Sequence, residues 1–61
     1  MKYRDLIRII EQDGWAQVAQ RGSHRQFKHP SKKGRVTVAG KPNADVPPGM
    51  RRSVLRQAGL L

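Results

Sequence analysis

Cysteine is absent from this chain of 61 residues, so neither a disulfide nor a thiolate-bound zinc ion reinforces its core. A chain of this length buries only about 60% of the surface that its unfolded form exposes. We therefore expect residues 1–61 to form one small domain with a thin core, in a reducing, cytoplasmic setting. The hydrophobic content of 36% suffices for one layer of sheet and helices but not for an enclosed cofactor pocket, so no cofactor is expected.

The N-terminal segment has the spacing of an amphipathic helix. Charges at Arg8 and Glu11 make it too polar for a signal peptide or a membrane span, so no segment inserted in a membrane is expected. Gly14 stands where a helix takes a left-handed residue after its last turn, and we expect the helix to end there. Four apolar residues recur at i, i+3, i+4 and i+7 and predict about three helical turns, namely Tyr3, Leu6, Ile7 and Ile10.

The middle of the chain has the pattern of a three-stranded meander. Two short runs, 15–21 and 24–29, flank Gly22-Ser23, which predicts a hairpin with a type II′ turn because Gly stands first. A basic loop over 30–34 precedes a β-branched third strand over 35–39. Pro48 suits the first position of a second helix, which should run to Ala58 and stop at Gly59. The predicted fold is α+β, of order α-β-β-β-α, with a three-stranded antiparallel sheet and both helices on one face.

Side-chain alternation along the second strand separates two faces. Phe27 should face the helices together with Val36 and Val38 of the third strand, and Arg25 and His29 share that face. The other face should be open and basic, and it carries His24, Gln26 and Lys28, with Arg35 and Thr37 on or beside it. A one-residue slip or a bulge near Gly22 would exchange the two faces.

Charge points to a polyanionic partner. The chain carries 13 Lys and Arg residues against four Asp and Glu, a net charge of +9. Residues 1–13 are balanced, so the whole excess lies in residues 14–61, where Asp45 is the only acid. Nucleic acid is the expected partner, and an acidic protein or membrane surface is the alternative.

The four carboxylates and two histidines offer little for a metal centre, so we expect no metal. RNA cleavage needs less, because the internal 2′-OH of RNA is a nucleophile and a general acid or base with cations suffices. His24 suits that role because it follows a tight turn and has Ser23 and Arg25 beside it as hydrogen-bond donors. Composition alone still favours an ordinary exposed strand residue. His29, before Pro30, is better suited to a packing or loop role.

A set of short motifs follows one another along nearly the whole chain. In order, they are Gly14-Trp15, Arg21-Gly22-Ser23-His24, Phe27, His29-Pro30, Val36-Thr37-Val38, Pro48-Gly49 and Leu55-Arg56-Gln57-Ala58-Gly59-Leu60. In their order and spacing the chain resembles the HicA toxins of bacterial and archaeal toxin–antitoxin pairs. The resemblance implies the fold of a double-stranded-RNA-binding domain, RNA cleavage, and a catalytic histidine in Gly-Ser-His, which is His24 here. It also implies an antitoxin of the HicB type.

The resulting hypothesis is a single HicA-like toxin domain over residues 1–61 that cleaves mRNA without a metal. His24 is the expected catalytic residue, and Ser23, Arg25, Lys28 and Arg35 are the expected RNA contacts. A HicB-type antitoxin should cover this site, and DNA should be reached only through the toxin–antitoxin complex.

Two other functions remain open. A double-stranded-RNA-binding module would bind shape and 2′-OH groups without any chemistry. A DNA-binding protein reading the major groove with its second helix is suggested by Arg51, Arg52 and Arg56, but a helix-turn-helix pair is missing.

Overall fold

A computed structural model describes all 61 residues and confirms the α-β-β-β-α order of an α+β fold. Each strand is slightly shorter than predicted, because Trp15, His29 and Arg35 lie just outside the pairing. Neither helix is long and apolar enough to cross a membrane. The elements are α1 (Tyr3–Gln12), β1 (Ala16–Arg21), β2 (His24–Lys28), β3 (Val36–Ala39) and α2 (Pro48–Gln57).

The three strands form one antiparallel sheet in the order β1-β2-β3. Arg21 pairs directly with His24, which leaves Gly22 and Ser23 as a two-residue connection. Gly22 has a φ of 60°, whereas no residue other than glycine has a positive φ. A positive φ at the first turn position alone defines the type II′ turn, so the predicted turn is confirmed.

A β-bulge interrupts the sheet, but not where it would exchange the faces of β2. The register shifts between Gln17 and Ala19, so Val18 in β1 is the extra residue and is 52% exposed. The pairing of β2 with β3 continues without a break, and Phe27 lies opposite Val36. The predicted division of β2 into a buried and an open face is therefore confirmed.

Both helices cover the same face of the sheet. Phe27 has no exposed surface and belongs to a single core cluster of ten residues. Burying a side chain of this kind stabilises the fold by about 1.5–3 kcal/mol, so a core of ten residues has little redundancy. The cluster consists of Tyr3, Leu6 and Ile10 from α1, Trp15, Phe27, Val36 and Val38 from the sheet region, Val46 from the following loop, and Val54 and Ala58 from α2.

The ends of α1 are fixed by backbone hydrogen bonds. At its start, the N–H groups of Tyr3 and Arg4 donate to carbonyl oxygens of the loop before α2, at 3.0 and 3.1 Å. At its end, the N–H of Gly14 donates to Glu11 and the N–H of Trp15 donates to Ile10, the pattern of a Schellman motif. Gly14 has a φ of 110°, as predicted for the residue that ends the helix. The bonds at its start therefore tie α1 to the loop before α2, and those at its end fix where α1 stops before β1.

Candidate active site

His24 opens β2 directly after the type II′ turn. Its side chain is exposed and takes part in no side-chain hydrogen bond or ion pair. The strand register places it on the face of the sheet that the helices leave uncovered, opposite to Phe27. An imidazole in this position is free to exchange protons with a bound substrate.

The neighbours of His24 on the open face are one cation and one small residue. Arg21 of β1 is its direct cross-strand partner, and Ala39 of β3 is its partner on the other side. Side chains paired in this way have Cβ atoms about 4.5–5.5 Å apart. The small Ala39 leaves the imidazole accessible from above, and the Arg21 guanidinium adds positive charge next to it.

The other predicted RNA contacts are spread over the molecule. Ser23 lies in the turn beside His24, and its backbone oxygen accepts a hydrogen bond from the N–H of Gly40 at 3.2 Å. Lys28 is on the open face but about 13 Å further along β2, at a rise of roughly 3.3 Å per residue. Arg35 also lies toward that far end, where its Nη1 donates to Gln26 Oε1 at 2.6 Å.

Arg25 lies on the other side of the sheet. It pairs with Val38, which is fully buried, so its side chain leaves β2 on the face that the helices cover. It is only half-buried there, because it reaches the margin of the helix layer. The structure thus brings His24 and Ser23 together at one end of β2 and places Lys28 and Arg35 toward the other end. It places the Arg25 side chain on the opposite face of the sheet from His24.

Arg21 was not among the predicted contacts, although the sequence carries the signal for it. A two-residue turn pairs the residues on either side of it, so Gly22-Ser23 makes Arg21 the direct partner of His24. The same pairing puts both side chains on one face of the sheet. Arg21 is therefore the strand cation nearest to His24 in register.

Carboxylates are absent from the open face. Asp5 and Glu11 lie on α1, Asp13 follows its last turn, and Asp45 is in the loop before α2, where it forms a 3.1 Å ion pair with Lys2. No three His, Asp or Glu side chains come together in a group that could hold a metal ion. The open face therefore carries a histidine, an arginine and a lysine with no acid to neutralise them.

The family model described as HicA toxin of bacterial toxin-antitoxin matches residues 3–60 of the 61 residues. The chain belongs to the HicA toxin family. A comparison with curated proteins finds no match. HicA toxins are generally ribonucleases that act in a toxin–antitoxin pair, so RNA is the substrate class of the family and an antitoxin is its partner. The resemblance inferred from the motifs is thereby confirmed at the level of the family.

The second histidine of this HicA family member is enclosed in a hydrogen-bond network. His29 Nδ1 accepts hydrogen bonds from the backbone N–H groups of Ser31 and Lys32, at 3.0 and 3.2 Å. The ring hydrogen is therefore on Nε2, which donates to the backbone oxygen of Asp13 at 2.7 Å. The ring also packs edge-on against Trp15, with 5.3 Å between centroids. His29 thus connects the basic loop to the end of α1, as a packing or loop role requires.

Lys32 completes this network, and its ammonium group is bonded within the fold. Its Nζ lies 2.5 Å from Asp13 Oδ2 and donates to the backbone oxygen of Ala58 at 3.0 Å. A cation between two helix C-termini is favourable, because the carbonyl ends of both helices are partly negative. The hydrogen bond from Lys32 is also the main reason why the pKa of Asp13 is lowered from its usual value of 3.8. Asp13 and Lys32 are therefore bonded to each other within the fold, whereas the His24 side chain has no hydrogen-bond partner.

Proposed function

We propose that residues 1–61 act as one metal-independent endoribonuclease toxin in which His24 is the general acid or base. The proposal rests above all on one observation, the exposed imidazole of His24 on the open face of a HicA family member, with no hydrogen-bond partner of its own. Arg21 beside it supplies a cation for the scissile phosphate, and Ser23 lies next to it in the turn.

The proposed reaction uses the nucleophile that RNA itself contains. The 2′-oxygen attacks the adjacent phosphorus, the bond between phosphorus and the 5′-oxygen breaks, and a 2′,3′-cyclic phosphate and a 5′-hydroxyl result. One proton leaves the 2′-OH and one reaches the departing 5′-oxygen. His24 carries out one of these transfers, and water carries out the other. Arg21 stabilises the negative charge that develops on the phosphate oxygens.

Two changes to the reaction mixture test this mechanism. Excess chelator should leave the cleavage rate unchanged, because the donor groups for a metal ion are not gathered at His24. Replacing the 2′-OH by hydrogen at the cleaved nucleotide should abolish cleavage there. Cleavage that stops in chelator, or that continues without the 2′-OH, contradicts the mechanism.

A binding assay run beside the cleavage assay separates the enzyme from a non-catalytic RNA-binding module. Such a module would use the same α-β-β-β-α fold and the same excess of cations to hold duplex RNA. It would shift the RNA in a binding assay but never shorten it. RNA that is bound but stays intact at every protein concentration tested would therefore favour the module.

We also propose that an antitoxin of the HicB type covers the open face and His24. A chain with a net charge of +9 and no acid on that face should be matched by a carboxylate-rich surface. Such a partner also stabilises a thin core, because it binds only the folded state. The complex should neither bind nor cut RNA, and contact with DNA should run through the antitoxin.

The two histidines allow this occlusion to be measured within one chain. The product of the neighbouring gene is co-purified with the chain, and histidine modification is compared with that of the free chain. His24 should be protected in the complex, whereas His29, whose side chain is only 9% exposed, should react slowly in both. Full reactivity of His24 in an inhibited complex would mean that the antitoxin acts elsewhere. Added salt should slow association, since charges that steer the encounter are screened beyond about 10 Å at 0.1 M.

A further inference from the structure

A groove runs along the helix side of the sheet, between α1 and β1. β1 is an edge strand, and the two side chains that it directs toward the helices, Gln17 and Gln20, remain exposed. α1 borders the groove with Arg4 and Arg8, and β2 contributes Arg25 to it. The groove has a volume of about 390 Å³ and lies on the opposite side of the sheet from His24.

The groove is positively charged. Three guanidinium groups line it, and Glu11 is the only carboxylate among its residues. Arg4 donates to Asn43 Oδ1 at 2.7 Å, whereas Arg8 and Arg25 take part in no ion pair or side-chain hydrogen bond. Free guanidinium groups beside a groove bind phosphate well, because each offers several N–H donors in one plane.

The groove continues to the turn that carries the candidate active site. A second depression of about 270 Å³ shares Gln20 and Arg25 with it and extends to Ser23 and Lys41. The residue that follows Ser23 is His24, on the other face of the same end of the sheet. A flexible chain of phosphates that follows the groove therefore arrives at the turn, one residue from the imidazole.

We propose that the α1–β1 groove binds the phosphate backbone of a single-stranded RNA segment that flanks the cleavage site. The strand passes around the β1–β2 turn and presents the scissile phosphate to His24. A duplex is too stiff for this path, since DNA has a persistence length of about 50 nm and the longest dimension of the protein is 29 Å. This inference rests on the proposed ribonuclease function, and it explains why Arg25 lies apart from the open face.

The test compares two double variants that remove the same charge. Arg8→Gln with Arg25→Gln alters the groove, and Arg51→Gln with Arg52→Gln alters the exposed side of α2, which packs over β3. Both are made in a His24→Ala background, so that the RNA stays intact during binding. Each protein is titrated with a short RNA that spans only the cleavage site and with one extended on both sides, over a range of salt concentrations.

The groove variant should lose most of the affinity that the extension adds, roughly tenfold, and its salt slope on the extended RNA should fall by about 1.4 for two lost phosphate contacts. The α2 variant should keep most of that added affinity. Thermal unfolding of both variants checks that the fold is intact, which is expected because Arg8 and Arg25 make no side-chain hydrogen bonds.

Two outcomes would contradict the proposal that the groove binds RNA. If both double variants weaken the extended RNA equally, only the overall positive field matters. If the groove variant binds RNA normally but no longer binds the antitoxin, the groove is a protein interface. Cleavage is measured separately in the chain that retains His24. If the groove variant loses RNA affinity but the chain with His24 never cleaves RNA, the ribonuclease proposal is wrong and the groove proposal stands. If the chain with His24 cleaves RNA but the groove variant binds RNA as well as its parent does, the groove proposal is wrong and the ribonuclease proposal stands.

Discussion

His24 is the first residue of β2 and His29 directly follows its last residue, and the two side chains differ in exposure and in hydrogen bonding. His24 is exposed, follows a tight turn, and makes no side-chain hydrogen bond. His29 is almost enclosed and uses both ring nitrogens, one as acceptor and one as donor. A ring whose two nitrogens are already bonded cannot exchange a proton with a substrate without breaking the network that holds it. The comparison therefore separates the histidine for which we propose a catalytic role from the one that is bonded within the fold.

The largest expected effect is on the side of His24. His24→Ala should lower the cleavage rate by about 10²–10⁴-fold, the usual contribution of a positioned acid or base. The melting temperature should stay the same, because the side chain contacts nothing that folding requires. Initial rates on one RNA and thermal unfolding are measured on the same preparation.

Thr37→Ala is a matched control for that variant, since it truncates another exposed side chain on the open face. It should leave both the rate and the melting temperature close to those of the unaltered chain. A His24→Ala protein that cuts at the normal rate would show that His24 is an ordinary strand residue.

For His29 we expect a loss of stability with little change in the cleavage rate. His29→Ala leaves the N–H groups of Ser31 and Lys32 and the oxygen of Asp13 without their partners, and it removes the ring that packs on Trp15. The free energy of unfolding should fall by about 2 kcal/mol. For a domain of this size, each kcal/mol lowers the melting temperature by roughly 4–8 °C. At a temperature where the variant is folded, cleavage should change by less than about tenfold, because the proposed mechanism assigns proton transfer to His24 and not to His29. A larger loss of rate in a fully folded variant would contradict this division of roles.

Alternation and turn chemistry were enough to predict the position of His24. The Gly22-Ser23 turn determines the pairing of β1 with β2, and the burial of Phe27 then determines which side chains of β2 are open. The faces could be predicted because the bulge at Val18 lies in β1 and leaves the pairing of β2 with β3 intact.

Contacts between residues distant in the chain could not be predicted in this way. Lys32 belongs to the basic loop over 30–34, and it contacts Asp13, 19 residues before it, and Ala58, 26 residues after it. These contacts depend on how both helices end over the sheet, which no local pattern encodes. Likewise, the alternation placed Arg25 on the covered face, but only the packing of the helices leaves it at the border of a groove.

A smaller effect on stability is expected at Gly14, which lies against the His29 ring. A Cβ atom there would lie 2.7 Å from His29 Nε2, and the φ of 110° is itself unfavourable for any other residue. Gly14→Ala should therefore destabilise the fold by about 1–2 kcal/mol. In a His29→Ala background the part of the cost that comes from the contact should disappear, which a double-mutant cycle of unfolding free energies measures. Strict additivity of the two changes would mean that Gly14 acts through its backbone alone.

The smallest expected effect is the acid sensitivity of the network around His29. The pKa of Asp13 is lowered, chiefly because Lys32 donates a hydrogen bond to its carboxylate. The folded state therefore favours ionised Asp13, so the stability from this group is complete above its usual pKa of 3.8 and is lost as the pH falls through the lower pKa of the folded state. Asp13→Asn should be less stable than the unaltered chain near neutral pH, and the difference should shrink in acid. Denaturant unfolding at pH values between about 7 and 2 measures this difference.

Glu11→Gln is the control for Asp13→Asn, because it removes a carboxylate two residues away that makes no ion pair. A difference between Asp13→Asn and the unaltered chain that is constant over the whole range would show that the Lys32 contact does not depend on the charge of Asp13.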